Sequence, residues 1–564
     1  MGGAVLARCV GRFPTTDFRF MPNPTTSRLR DQPSSTAAAA EKPSRSGRSA
    51  ALVSLGILLS RLIGLVRTRV FAHYFGGTSD AADAFNAAFR IPNFLQNLFG
   101  EGALSASFIP VYANLLGQGK QEEAGRVAGA IAAILSLVVS AIVLVGITAT
   151  PLLIGLIAPG FTGEKRELTI ALVRILFPGA GLLVISAWCL GVLNSHRRFF
   201  LSYSAPVIWN VAMIAALLGW GGRVGEFELA TVLAWGSVAG SALQFLVQLP
   251  LVLRLAKGLR LSLNVRDSSV AAILRNFIPA FISRGVVQIS AYVDAMIASL
   301  LGTGAVTGLS YAQLLYTLPV SLFGMAISAT ELAEMSRTTG SDDQIHQTLR
   351  TRLNAGLQRV AFFIVPSATA FLAFGDLIAA ALFQSGKFTA DDSRYVWAIL
   401  AGSSVGLLAS TMGRLYSSTF YALRDTRSPL KYAITRVAFT TVLGVAFALY
   451  LPSLFGLQER WGVAGLTISA GFAGWVEFFL LRRQLNRRIG HSGLPASVLL
   501  RLWGAAIAAA GAGWGAKLLL PAMHPVPIAA AVLIPFGGIY AVATTTLGIA
   551  ESRALLGRVW KKLR

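Results

Sequence analysis

Apolar residues in this chain fall in runs of about twenty or more, the length that carries a helix across a bilayer core roughly 30 Å thick. Short polar clusters separate the runs. Within hydrocarbon no water reaches a peptide group, so a spanning segment must pair its own N–H and C=O groups, as a helix does. Barrel strands would alternate polar and apolar positions, and these runs do not. The pattern predicts an all-α polytopic membrane protein with fourteen spans, at about 51–75, 84–116, 125–157, 168–193, 200–220, 229–253, 272–301, 306–335, 355–383, 394–422, 430–452, 462–481, 498–521 and 526–549. Several are longer than a bilayer requires, which implies tilt or protruding ends.

Composition sharpens this picture: 54% of the 564 residues are hydrophobic and only 13% are charged. A net charge of +24 would direct a soluble chain toward nucleic acid, but in a membrane protein the placement of the cations decides, and no nucleic-acid partner is expected. With a cytoplasmic N-terminus, the basic stretches "NSHRRFF", "RDTRSPLK", "RRQLNRRIGHSG" and "RVWKKLR" all fall on the cytoplasmic side. The opposite loops then hold Lys165, Arg166, Arg223, Lys387, Arg394 and Arg460. Cationic loops stay where they are made, so both termini are expected in the cytoplasm. Cys9 lies in a polar tail and Cys189 in a span, which excludes a thiolate metal site and argues against a disulfide framework. His73, His196, His346, His491 and His524 are scattered without metal spacing, so no metal centre is expected.

Residues 1–49, rich in Ser, Thr, Pro, Ala and Arg, have too little apolar surface to order themselves and read as a disordered cytoplasmic tail. The same Arg-rich, acid-poor composition also describes an organelle transit peptide. The remainder divides into an N-lobe at 50–254 with spans one to six, a cytoplasmic amphipathic linker at 255–271, a C-lobe at 272–485 with spans seven to twelve, and residues 486–564 with two further spans and a basic tail. The lobes echo each other. "LIAPGFTGEKRE" (156–167) matches "LFQSGKFTADDSR" (382–394), with Thr162 and Thr389 227 residues apart, and Arg197 and Arg424 share that offset. Six helices per unit is even, so both units enter the membrane in the same direction as a pseudo-twofold parallel repeat.

The unusual chemistry begins in span one, where "SRLIGLVRTRVFAHYFGG" (60–77) carries Arg61, Arg67 and Arg69. A rise of about 1.5 Å per residue puts Arg61 near the midplane, Arg67 in the outer quarter and Arg69 close to the far interface. Arg69 can snorkel to water. Arg61 and Arg67 cannot easily do so, and a central arginine costs about 2.5–3.5 kcal/mol even on mild insertion scales, so both call for a wet cavity or a fixed anion. The repeat offset sets Arg67 opposite Asp294 and Arg61 opposite Gln288; span seven, with Arg284, Gln288 and Asp294, is thus expected to line one central aqueous cavity together with span one. Span two places Pro92, Gly100, Gly102 and Pro110 around Glu101, an arrangement that permits kinks and suits a moving gate. Asp83, at its outer end, reads equally well as a stabiliser of the helix N-terminus.

"SRLIGLVRTRVFAHYFG", "DAFNAAFRIPNFLQNLFGEGALSASFIPVYANLL", "FQSGKFTADDS" and "FYALRDTRSP" resemble the MurJ (MviN) family of lipid II flippases, within the multidrug/oligosaccharidyl-lipid/polysaccharide exporter superfamily, from about residue 50 to the end. The resemblance implies a V-shaped, two-lobed transporter of the bacterial inner membrane. It would move an undecaprenyl-diphosphate-linked peptidoglycan precursor to the periplasmic leaflet by alternating access, with membrane lipids around it and room for other cell-wall synthesis proteins as partners. It makes Arg61 and Arg67 cavity arginines, Asp83 the outer-end acid of span two and Glu101 the acid of its broken segment. Two departures stand out: Gln96 and Leu314 occupy positions where the family often has further cavity arginines, and Arg284 is a candidate replacement by depth. Some members hold sodium among spans seven, eleven and twelve. Asp294, Val463 and Thr467 fit that pattern, while Gly444 and Ala448 stand where polar ligands are expected, so coupling to Na+, H+ or membrane potential stays open and no organic cofactor is expected.

Three rival readings remain. A polysaccharide-lipid flippase or drug/cation antiporter of the same superfamily shares the fold, but a cation exporter would want acids in its cavity. A membrane-embedded polyprenyl-phosphate transferase would want clustered carboxylates for a metal, for which Glu331 and Glu334 in "ELAEM" are the candidates. A scaffold with a vestigial cavity is the third.

Overall fold

The computed structural model describes residues 45–521 and 523–553, with side chains described except at 45–54, 92, 100–102, 280 and 282–291. The expected tail lies outside the described residues up to residue 44, as does the basic C-terminal end. Apart from an isolated bridge between Ser385 and Phe388, regular structure among the described residues is helical.

The first six spans correspond to α1 (Arg45–Phe75), α2 (Asp80–Asn97) continued by α3 (Ser105–Gly117), α4 (Gln121–Thr148) with the short α5 (Thr150–Ile157), α6 (Gly163–Ser195), α7 (Phe199–Trp220) and α8 (Glu226–Leu255). The next six are α9 (Ser268–Ser299), α10 (Ala305–Pro319) continued by α11 (Ala326–Met335), α12 (Asp342–Phe383), α13 (Ala390–Ala422), α14 (Arg427–Leu449) with α15 (Leu451–Leu454), and α16 (Gly462–Ile489). Helices α17 (Ala496–Leu519) and α18 (Pro525–Thr546) pack on each other and on α12. Eleven of these segments are long and apolar enough to cross a membrane. The other three expected spans, α1, α2–α3 and α9, carry the polar residues singled out above. Large apolar side chains face outward, Leu152, Ile534 and Leu519 among them, as lipid-facing surface should.

The repeat holds in register. Helices α6 and α13 are both 33 residues long, begin after Thr162 and Thr389, and are preceded by the buried Phe161 and Phe388. Each ends on an arginine in the left-handed region, Arg197 and Arg424, both at φ 59°. The amides of Arg198 and Asp425 then reach back to the carbonyls of Leu193 and Phe420, both at 2.9 Å, closing the same helix-terminating motif in each lobe.

In each lobe the second helix is interrupted by a π-helical segment, Leu98–Leu104 between α2 and α3 and Val320–Met325 between α10 and α11. The kink expected around Gly100, Glu101 and Gly102 therefore takes the form of a widened helical turn, after α2 has continued through Pro92. The side chains of Pro92, Gly100, Glu101 and Gly102 lie outside the described ones.

The linker after α8 runs across α4. A Cβ on Gly125 would lie 2.0 Å from the Lys257 carbonyl, and one on Gly129 2.2 Å from that of Arg260, so only glycine lets the two backbones approach this closely. The substitution Gly129→Val is expected to detach the linker, and limited trypsin cleavage at Arg260 and Arg266 should rise at least several-fold over wild type. Unchanged cleavage would show that this contact does not hold the linker.

Candidate substrate cavity and outer gate

A cavity of about 370 Å³ is lined from both lobes: by α1, α2, α7 and α8 on one side and by α9 and α10 on the other. Arg67 faces it from α1, and Arg90 from α2. The Arg67 guanidinium lies 5.2 Å from the Phe89 ring and 5.7 Å from the Trp209 ring, which stack on each other at 5.5 Å; its Nη1 is 3.8 Å from the Met213 sulfur. Among the described residues no carboxylate pairs with Arg67 and none lines the cavity. Cation–π contact contributes about 0.5–2 kcal/mol. That does not replace an ion partner for a charge withdrawn from water.

The stripe on α2 is the part that sequence reasoning missed. Asn86, Arg90, Asn93 and Asn97 recur at intervals of four, three and four residues, which is one face of a helix, and all line the cavity. That periodicity was readable in the sequence. Gln96 lies one residue off that face and is not among the lining residues, whereas Leu314 does line the cavity. Arg61 is exposed and also lies outside the lining set. Arg284 and Gln288 have side chains outside the described ones.

Asp294 does not share this cavity. Tyr292 lines it, and Asp294, two residues and about 200° further round α9, faces a second cavity of about 120 Å³ inside the C-lobe, beside Arg436, Thr467, Ser403 and Tyr316. Gln313 lines both. Spans one and seven do line one cavity, through Arg67 and Tyr292, but Asp294 is not in it: the offset that pairs Arg67 with Asp294 equates positions in the repeat, not their surroundings. Of the residues named for sodium, Asp294 and Thr467 line this second cavity, and Asp294 Oδ1 is buried without a hydrogen-bond partner among the described residues. The carboxylate of Asp294 lies beside the Arg436 guanidinium, which is also 3.3 Å from Glu477 Oε2. Val463 is fully buried and does not line this cavity, the Thr467 hydroxyl is 2.9 Å from the Ile399 carbonyl, and Gly444 and Ala448 bring no side-chain oxygen.

At the end where α1 meets α2, termed outer for the topology above, the lobes are clasped. Asp83 is 0% exposed, and its carboxylate accepts from the amides of Gly304 (2.8 Å) and Thr307 (2.8 Å), from the Thr307 hydroxyl (2.7 Å) and from Lys165 Nζ (2.8 Å). Gly304 is the N-cap of α10, in the left-handed region at φ 87°, and has no side chain with which to cap that helix. Asp83 supplies the cap from the other lobe, binding the N–H groups at the positive end of the α10 dipole. Its own helix α2 is capped separately by Ser79, whose hydroxyl accepts from the Ala82 amide at 3.3 Å. Asp83 is therefore more than a stabiliser of its own N-terminus.

Other bonds join the same end. Asp80 Oδ1 accepts from the Thr303 hydroxyl at 2.7 Å, the Tyr311 hydroxyl donates to the Gly76 carbonyl at 3.0 Å, and Glu226 accepts from Lys387 Nζ at 2.6 Å as well as from the Ser79 hydroxyl. Arg69, expected to snorkel, instead donates to the carbonyls of Ala381 (2.8 Å) and Leu382 (2.9 Å) in the last turn of α12, where a helix leaves its carbonyls unpaired.

Two six-helix lobes, a polar cavity between them and a clasp across one end define a multi-pass membrane transporter of the two-lobed exporter class. The profile of the lipid II flippase MurJ family matches residues 71–528, and the chain belongs to that family, whose members are transporters and not enzymes. It is 32% identical over 473 residues to the lipid II flippase MurJ of Burkholderia cenocepacia, covering 82% of this chain and 89% of that one. It is 30% identical over 472 residues to the probable lipid II flippase MurJ of Haemophilus influenzae, covering 81% and 90%. A solved structure of lipid II flippase MurJ in an inward closed conformation superposes with a TM-score of 0.72 at 22% identity over 88% of this chain and 99% of that one. An inward-facing multidrug resistance MATE transporter superposes at 0.61 with 18% identity, over 78% and 98%.

Proposed function

We propose that this protein flips lipid II, the undecaprenyl-diphosphate-linked peptidoglycan precursor, from the cytoplasmic to the periplasmic leaflet of the bacterial inner membrane, with both termini cytoplasmic. One observation carries the reading: Arg67 and Arg90 face a cavity with no lining carboxylate among the described residues. A diphosphate is a compact multiple anion, and guanidinium offers it forked, permanently charged donors. Clasped at the outer end, the cavity is poised to receive a headgroup from the cytoplasmic side, and release requires the clasp to part. The test is a leaflet-accessibility assay of labelled lipid II in cells depleted of their own flippase and supplied with this chain. Headgroup reaching the periplasmic face is expected; headgroup held in the inner leaflet despite normal expression refutes the proposal.

Two of the rival readings, the cation antiporter and the metal-dependent transferase, fare worse on the same geometry. A cation antiporter would place cationic substrate against two guanidinium groups. A metal-dependent transferase would draw on Glu331 and Glu334, yet Arg359 Nη1 is 3.0 Å from Glu331 and Arg352 Nη2 is 3.1 Å from Glu334, so both carboxylates are already engaged. Among the described residues no group of three acidic, histidine or cysteine side chains is placed to hold a metal.

Coupling follows from the second cavity. With Arg436 supplying the positive charge beside Asp294, we propose a cycle that does not need sodium and draws on protons or the membrane potential. Exchanging Na+ for K+ or choline should leave the flipping rate within about twofold, and the melting temperature of purified protein should be the same in either salt. A rise of several degrees in Na+ alone would show a sodium site and overturn this coupling.

A further inference from the structure

The cavity is divided by chemistry. Arg67 and Arg90 offer donors only, which suits phosphate oxygens. Asn93 and Asn97, on the same face of α2, and Gln313, opposite on α10, offer a donor and an acceptor each. Asn86 is committed elsewhere: its amide nitrogen is 2.9 Å from the Ala82 carbonyl and 3.2 Å from the Thr307 hydroxyl, beside the clasp. The side-chain amides of Asn93, Asn97 and Gln313 have no partner among the described residues, so three carboxamides present open hydrogen-bonding capacity to the cavity.

We propose that Asn93, Asn97 and Gln313 read the sugar attached to the diphosphate, through its hydroxyl and acetamido groups, and so set the preference for a sugar-bearing lipid over the bare polyprenyl diphosphate. This rests on the flippase reading above and names what that site selects. Acetamido and hydroxyl groups each need both a donor and an acceptor, and carboxamide supplies both where guanidinium cannot. Along α2, Asn93 and Asn97 lie about 4.5 and 10.5 Å from Arg90, the span of a sugar ring set beside a bound phosphate. A volume of about 370 Å³ has room for a diphosphate with its adjoining sugar, and the sugar nearest the phosphates is the part that carboxamides one and two turns from Arg90 would reach. A site built to hydrogen-bond polar groups discriminates strongly against a ligand lacking them, because its own polar groups would be left unpaired.

The experiment measures binding of two probes, lipid II and undecaprenyl diphosphate, to the full chain in nanodiscs. Wild type is expected to bind both and to prefer lipid II. Asn93→Ala with Gln313→Ala should weaken lipid II binding roughly tenfold, as loss of two neutral hydrogen bonds does, and bare diphosphate by less than about twofold. The single change Asn97→Ala, at an exposed position, should shift the preference in the same direction without loss of fold. Arg67→Ala should weaken both probes together. Wild-type protein that binds neither probe overturns the flippase reading and this inference with it. Wild type that prefers lipid II, with the preference intact in the carboxamide variants, overturns this inference alone, as does an equal loss for both probes in a protein that melts like wild type.

Discussion

Arg67→Ala is expected to abolish rescue of a flippase-depleted strain and to slow lipid II exposure by roughly 30-fold to several thousand-fold, the range spanned by about 2–5 kcal/mol for one partner of a desolvated, hydrogen-bonded charge pair. The guanidinium is held over Phe89 and Trp209 and has no carboxylate partner among the described residues. Its charge is therefore available to an anionic ligand in the cavity. Removing it also removes a desolvated cation, so the melting temperature of the variant should equal or exceed that of wild type. Arg67→Lys separates charge from shape: lysine keeps one positive charge but loses the fork and the stacking plane, and should retain an intermediate rate, about tenfold below wild type. A variant that flips normally with alanine at this position would remove Arg67 from the substrate path.

Much of this was written in the chain. Run length set the spans, because a bilayer thickness fixes how many apolar residues a helix needs. Thr162 with Thr389, and Arg197 with Arg424, located the repeat because each pair marks a helix boundary, where local chemistry is restrictive. What escaped was chemistry that depends on a face or on a distant backbone. Arg67 stood out as a costly charge in a greasy helix, whereas Arg90 and Asn93 sat in a longer polar motif and declare themselves only when read at helical spacing. The partners of Arg69 are carbonyls, one of them 313 residues away, and no side-chain pattern encodes those. Asp294 was matched to Arg67 by repeat arithmetic, yet Arg436, from α14, gives it a different neighbour.

The clasp makes the second large prediction. In Asp83→Asn the side chain keeps its size, but one amide hydrogen bond that crosses to the head of α10 becomes a clash between donors, while Lys165, on α6 of the same lobe as Asp83, keeps Asp80 Oδ1 at 3.0 Å. A hydrogen bond to a charged group contributes about 1.5–3 kcal/mol. The bonds to Gly304 and Thr307 cross between the lobes and exist only while the outer ends are together, so the equilibrium should move toward an open outer end by roughly tenfold to 150-fold. Spin labels at Arg223→Cys and Arg394→Cys, exposed positions on opposite lobes, should report a distance distribution displaced to longer values. Thr307→Val removes only the hydroxyl that bonds Asp83 and leaves the backbone bonds in place, so it should move the same distribution in the same direction by about fivefold. A population shifted open without substrate also predicts slower flipping, since a cavity that no longer closes outward cannot load from the cytoplasmic leaflet. If both variants keep the short distance, the carboxylate cap on α10 is not what holds the lobes together.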